Sequence, residues 1–202
     1  MSKEMKIAIF HNLPSGGAKR ALFGFVKYLK SKNHLIDVHV PESANETFLP
    51  LESLGAKVKI YPIKKTFKGV LYSRFYAPFD KHEVPLHDLE MTEKTIAYAI
   101  DSKDYDIVIC EQDQYTMAPF FLKYIKKPTV YYCQQPLRKN EVISKRAYAM
   151  LEKKEKKFKD RFFNYIHDRV EKIDIEIDTE NAYHAKHILA NSFFSHESIL
   201  RA

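Results

Sequence analysis

Apolar residues in this chain come as short unbroken runs, separated by stretches in which they recur at helical spacing. Ile7–Phe10 is the first run and reads as a buried strand. It breaks in the turn-forming residues Asn12–Ser15 and two adjacent glycines, Gly16 and Gly17. Ala21, Leu22, Phe25, Val26 and Leu29 then follow with a helix period, ending near Lys32 and Asn33. A second run, Leu35–Val40, is stopped by Pro41. Asn45 is placed to cap a short helix through Leu54, with Gly55 to terminate it. Val58–Tyr61 is the third run and is closed by Pro62. Strands alternating with helical segments at this density predict right-handed crossovers and a parallel sheet.

The pattern dissolves from Lys64 to Pro85, where lysines mix with Phe67, Tyr72, Phe75, Tyr76 and Phe79, and this stretch reads as a long loop. Periodicity returns over His87–Lys103 as a helix. Tyr105–Cys110 reads as an interior strand, with the polar residues Glu111–Gln114 at its carboxyl end. Met117–Ile125 reads as a helix and Thr129–Cys133 as a fifth strand, which ends in Gln134, Gln135, Pro136, Leu137 and Arg138. A charged helical stretch runs over Val142–Lys172. Asp174–Asp178 alternates charge with isoleucine, and Thr179 begins another short helix. His187–Ser192 reads as a last strand and Phe193–Ala202 as a helix. The alternation excludes helix bundles and all-β folds. It predicts one α/β domain over residues 1–202, with a mostly parallel sheet of about six strands flanked by helices.

Composition narrows the partners. A formal charge of +7 calls for an anionic partner or surface, among them a nucleotide phosphate, a nucleic acid or an acidic lipid. The basic stretch Lys153–Arg161 shares a helical pattern with Leu151, Phe158 and Phe162, which suits an anionic membrane surface as well as a solvated helix. No recognisable nucleic-acid-binding module occurs. Cys110 and Cys133 each end an apolar run and read as buried free thiols of a reducing compartment. With a polar start and no long apolar run, the expectation is a cytoplasmic protein, or one held peripherally at the cytoplasmic membrane face.

Three polar constellations fall at the predicted carboxyl edge, where the ligand crevice of an open α/β sheet lies. The Gly16-Gly17 turn permits close backbone approach and exposes amide donors at a helix start, with Lys19 and Arg20 nearby. Gln134, Gln135 and Arg138 offer amide and guanidinium groups suited to hydroxyl-rich or anionic ligands. Asn191 and Ser192 are placed to cap the last helix. The nine histidines show no ligand spacing with cysteine or carboxylates, so no metal site is expected. Asn12–Gly17 lacks Gly-x-Gly-x-x-Gly, which argues against a nicotinamide dinucleotide although Glu42 follows the second strand. No Walker A sequence or Gly-x-Ser-x-Gly elbow occurs.

Taken together, these landmarks resemble the N-terminal, Rossmann-like domain of family 4 glycosyltransferases, which have the two-domain GT-B architecture. Ile7–His11 followed by Gly16-Gly17-Ala18-Lys19-Arg20 is similar to the family's first strand and Gly-Gly-Ala-Glu-Arg turn. Asp106–Ile109 looks like its Tyr-Asp-Ile-Val strand, and Tyr132–Arg138 like the pattern Tyr-Cys-His-Thr-Pro-x-Arg. Ile188–Ser192, with Phe194, Ser195 and Glu197, resembles the segment before the interdomain linker. The resemblance implies transfer of a sugar from a nucleotide-sugar donor to a glycan or lipid-linked acceptor, usually with retention and with no metal or other cofactor required. It further implies donor-phosphate contacts at Gly16, Gly17 and Arg20, acceptor contacts at Asn12, Lys19, Gln135 and Arg138, and a catalytic position at Gln134.

Two residues depart from the family. Lys19 stands where glutamate is common. Gln134 stands where a histidine would lie near the reacting sugar, and an amide exchanges no proton near neutral pH. The family's second domain, with its paired-glutamate motif and most nucleotide-sugar contacts, is not found in residues 1–202. The expectation is therefore an acceptor-side domain with negligible transferase activity alone. The alternative is a non-catalytic anion- or nucleotide-binding module acting with a separate partner subunit.

Overall fold

The computed structural model describes residues 4–76, 84–135 and 158–200. Its centre is β1 (Lys6–Asn12), paired in parallel with β2 (Leu35–Pro41) on one side and β4 (Ile107–Asp113) on the other. With β3 (Lys57–Tyr61), β5 (Thr129–Cys133) and β6 (His187–Ala190), the strands form one six-stranded sheet in the order β3-β2-β1-β4-β5-β6. Every pairing is parallel. The fold is a Rossmann-like α/β domain, as the strand alternation predicts. The order reverses between β1 and β4, and that switch point opens the crevice at the carboxyl edge.

Period-two alternation sends neighbouring residues of each strand into different layers. Ile7 and Ile9 of β1 face α1 (Gly17–Ser31), where they pack with Leu22, Val26, Ile36 and Val38. Ala8 and Phe10 face the other way, into a layer formed by Ile96, Ala97 and Ile100 of α3 (Leu86–Asp101) and Phe121 and Leu122 of α4 (Phe121–Tyr124). Phe10 stacks on Phe121 with ring centroids 4.4 Å apart. Burying such a ring contributes about 1.5–3 kcal/mol. β1 thus anchors both layers, which is why the turn that follows it is rigidly placed. Cys110 and Cys133 are buried free thiols.

Several local expectations are corrected. Asn45 starts no helix: its Oδ1 accepts from the amides of Thr47 (3.1 Å) and Phe48 (2.8 Å), an Asx turn. A single 3-10 turn follows at Leu51–Leu54, ended by Gly55 at φ +77°. The stretch read as a loop contains α2 (Phe67–Tyr76). Thr66 starts it, accepting from the Gly69 amide at 3.0 Å, while Asp88 takes the amide and hydroxyl of Thr66. Capping outweighs the weak periodicity there. The helix expected from Met117 begins only at Phe121, because Met117 sits at φ +53°. Strand β4 runs three residues past Cys110, to Asp113. Asp174–Asp178 and Thr179 belong to one helix, α5 (Phe158–Tyr183), and α6 (Phe193–Leu200) follows β6. Among the described residues no helix is long and apolar enough to cross a membrane.

Candidate functional site

The crevice is built first by the turn between β1 and α1. Gly16 holds φ +156° and ψ −162°, a conformation essentially reserved for glycine, and its carbonyl accepts from the Arg20 amide at 3.1 Å. No side chain caps α1 at Gly16, so its first amides are offered to the crevice with the positive end of the helix dipole. Gly17 differs from Gly16 in its backbone, being the first residue of α1. Among the described residues, a Cβ added at either glycine would meet nothing within 4 Å. Packing does not require glycine at either position. Arg20 is exposed, with its guanidinium 5.6 Å from the Phe48 ring centroid.

The facing wall comes from the ends of β4 and β5. Half-buried Gln134 donates through Nε2 to Glu111 Oε2 at 2.9 Å and reaches the Ala18 carbonyl at 3.4 Å. One amide therefore joins three elements. Glu111 is fully buried, and among the described residues its Oε1 has no hydrogen-bond partner. Burial pushes its carboxyl up to about 7, against the opposing hydrogen bonds from Gln134 and the Gln112 backbone. Exposed Gln135 is fixed through its backbone: its amide donates to Gln112 Oε1 at 3.2 Å, and its carbonyl accepts from Gln112 Nε2. Arg138 and residues 153–157 of the basic stretch lie outside the described residues.

Beneath the turn lies a buried polar layer. His11 Nδ1 accepts from the Leu13 amide at 3.3 Å, which assigns the ring proton to Nε2, 2.8 Å from Glu46 Oε1. Lys19 points inward from α1 and pairs with the same Glu46 oxygen, its ammonium fully shielded from solvent. Burial lowers the His11 pKa despite the Glu46 hydrogen bond, and it lowers that of Lys19 as well. Burial would raise Glu46, but hydrogen bonds and charge from His11 and Lys19 outweigh it and hold the carboxyl low. Asn12 is also buried: it donates to Asp113 at 2.6 Å and accepts from Ser43 at 2.9 Å and Gln114 at 3.2 Å. Burial first, then the Asp113 charge, pushes the Glu93 carboxyl well above its ordinary range.

The structure therefore brings Gln134 at the end of β5 against the first turn of α1, which follows Gly16 and Gly17, while Arg20 lies over Phe48 and Gln135 is held by Gln112. It sets Asn12 and Lys19 in the layer beneath that turn. Asn191 and Ser192 hydrogen-bond Ser195 at the start of α6, the capping role expected of them. Glu42 accepts from the Ile63 amide at 2.9 Å. One residue of this layer, Glu46, escapes a reading of the sequence. Glu46 lies 27 positions from Lys19, and no local pattern links them. Lys19 itself carried a signal, since it shares the buried stripe of α1 with Leu22 and Val26 at helical spacing. Among the described residues no group of three His, Cys, Asp or Glu is arranged to hold a metal ion.

Fold and crevice together define a Rossmann-like α/β domain with a polar, amide-lined cleft at its strand-order switch point. No protein-family profile matches the chain, and no curated protein matches it. Solved structures similar to it include two glycosyltransferases. One is the glycotransferase of kitacinnamycin, at 12% identity and a TM-score of 0.46 over 86% of this chain and 41% of that one. Another is CalG4, the calicheamicin glycosyltransferase, at 14% identity and a TM-score of 0.45 over 94% of this chain and 48% of that one. The chain thus spans less than half the length of either.

Proposed function

We propose that this chain is the N-terminal, acceptor-side domain of a retaining family 4 glycosyltransferase, which uses a nucleotide-sugar donor and a glycan or lipid-linked acceptor. The observation that carries this reading is the position of Gln134. Its amide joins the end of β5 to Glu111 and to the first turn of α1, so two landmarks 116 residues apart in sequence line one cleft. The Gly16-Gly17 turn supports it, because open space around both glycines at a helix start leaves room for close approach by a ligand. In this scheme the amides after Gly16, with Arg20, stabilise negative charge developing on the leaving diphosphate. Gln134 hydrogen-bonds a sugar hydroxyl without exchanging a proton, while Gln135 and Arg138 meet the acceptor. Asn12 and Lys19 hold the turn from beneath.

Nucleotide binding tests the reading. The protein is titrated with a panel of nucleoside diphosphates and their sugars by saturation-transfer NMR. The expected result is binding of at least one nucleoside diphosphate, weakened tenfold or more by Gly17→Val in a variant that melts like the wild type. Binding that ignores this substitution would sink the phosphate-approaching role of the turn. The same proposal places the basic stretch around Lys153–Arg161 at an anionic membrane face. Pelleting with vesicles of acidic against neutral lipid decides that part.

A further inference from the structure

The amino edge of the sheet, away from the crevice, carries a second polar cleft. β1, β2 and β3 begin there with Lys6, Leu35 and Lys57, and α1 ends there with Lys30 in its last turn. Parallel pairing sets Lys6 beside Leu35 and Asp37 beside Lys57. Lys103, Asp104 and Tyr105, ahead of β4, close the remaining side. Between these elements lies a pocket of about 300 Å³. Among the described residues four lysines line it, Lys6, Lys30, Lys57 and Lys103, against two carboxylates, Asp37 and Asp104. The balance is positive.

The pairing inside the pocket shows which cations are in excess. Lys6 Nζ lies 3.4 Å from Asp104 Oδ2. Buried Tyr105 donates its hydroxyl to Asp37 Oδ2 at 2.7 Å, and Lys103 Nζ lies 4.0 Å from the same oxygen. Both carboxylates are thus engaged. Among the described residues, neither Lys30 nor Lys57 has a carboxylate within ion-pair distance. Lys30 is half-buried, and its stem lies across Gly55, where an added Cβ would sit 3.6 Å from Cε and 3.9 Å from Nζ. The negative end of the α1 dipole accounts for a lysine at that position. It does not account for Lys57, which starts a strand. Like charges around a partly enclosed pocket repel each other more than across open solvent, because its walls focus their field. An anion between them removes that repulsion.

We propose that this pocket binds a small phosphoanion of two or more negative charges, held between Lys30 and Lys57. A phosphate oxygen accepts from several ammonium groups at once, and lysine meets it as a point charge without a fixed angle. The volume stands at the lower end of the range of about 300–1,000 Å³ common to small-molecule sites, which suits a compact ion. Binding here does not rest on the transferase reading, since the glycine turn lies at the other end of β1.

Inorganic pyrophosphate is the probe, titrated calorimetrically into the whole chain as wild type and as Gly17→Val, which weakens any hold of the glycine turn on phosphate. A site that survives Gly17→Val is expected. In that background Lys57→Met and, independently, Lys30→Met are expected to weaken it about tenfold. Lys172→Met removes the same charge from an exposed position on α5, outside the pocket, and is expected to change the affinity less than about twofold. Asp104→Asn frees Lys6 and is expected to tighten binding about threefold. These side chains are exposed or half-buried, so the variants are expected to melt with their parent. Absence of pyrophosphate binding to Gly17→Val overturns the proposal. Equal weakening by Lys172→Met and Lys57→Met does so too, because the charge of the whole chain would then hold the ion. Binding lost with Gly17→Val yet unchanged in Lys57→Met alone assigns pyrophosphate to the glycine turn; it overturns the pocket and leaves the transferase reading standing.

Discussion

Lys19 and Glu46 form an ion pair in the protein interior, under the turn that joins β1 to α1 and against the ring of His11. The pair fixes the start of α1 to the loop after β2. Removing Lys19 takes its cation from the Glu46 carboxylate and leaves the His11 ring and the Leu51 amide to hold that charge. Such a broken buried ion pair costs about 3–5 kcal/mol. Lys19→Met is expected to lose about that much in urea denaturation. Lys19→Met with Glu46→Gln recovers most of it, because the amide oxygen still accepts from His11. A double variant as unstable as the single one would show that the pairing is not what holds the turn.

His39 gives the stability a defined acid edge. Its ring lies between the Tyr61 and Tyr105 hydroxyls, at 2.9 Å and 3.1 Å, and is almost wholly buried. Burial, reinforced by the Lys103 charge, lowers its pKa from 6.5 to about 4. The unfolded chain therefore takes up a proton from about pH 6.5 downward, while the folded one resists until about pH 4. Stability falls as the pH drops through that window, by about 3 kcal/mol in total. His11, also lowered by burial, acts in the same direction, so the comparison is between wild type and His39→Gln. The variant is expected to show a shallower decline in urea midpoints between pH 7 and pH 4. An equal slope would remove His39 from this account.

The parts of the fold legible in the sequence are those where one local signal is enough. Ile7–Phe10 and Thr129–Cys133 are unbroken apolar runs, and both are strands at those positions. Gly55 ends its turn in the left-handed region, as its placement predicts. Legibility fails where the deciding partner is distant in sequence. Helix α2 depends on Asp88 accepting from Thr66, 22 residues away, and Lys19 depends on Glu46. The crevice was legible as a set of strand ends. Its buried layer was not, because polar residues such as Asn12, Glu93 and Asp113 look like surface residues until the sheet packs over them.

The two adjacent glycines divide their roles, and substitution separates them. Gly16 occupies a backbone region closed to other residues, so Gly16→Ala is expected to cost about 1–3 kcal/mol. Gly17 lies at the first position of α1 with open space around its Cα. Gly17→Ala is expected to stabilise the fold by about 0.4–1 kcal/mol through the unfolded chain. Thermal melts of the two variants decide this. Equal losses would mean that both glycines serve the turn, and the case for ligand approach at Gly17 would lapse.

Glu111 is a buried carboxyl whose titration works against the fold. Burial raises its pKa from 4.5 to about 7. Between those values the unfolded chain has released the proton that the folded chain still holds, so stability falls as the pH rises through the window. Glu111→Gln removes that liability while still accepting from Gln134. It is expected to match the wild type near pH 4.5 and to exceed it increasingly up to about pH 7, by at most about 3 kcal/mol. Urea denaturation at pH 4.5 and at pH 8 measures both ends of the curve. A variant equally stable at both, relative to wild type, would show that Glu111 carries no such shift. A gain that appears only at the higher pH would mean the chain keeps a buried carboxylate at a cost to folding, which is the behaviour of a residue retained for a ligand.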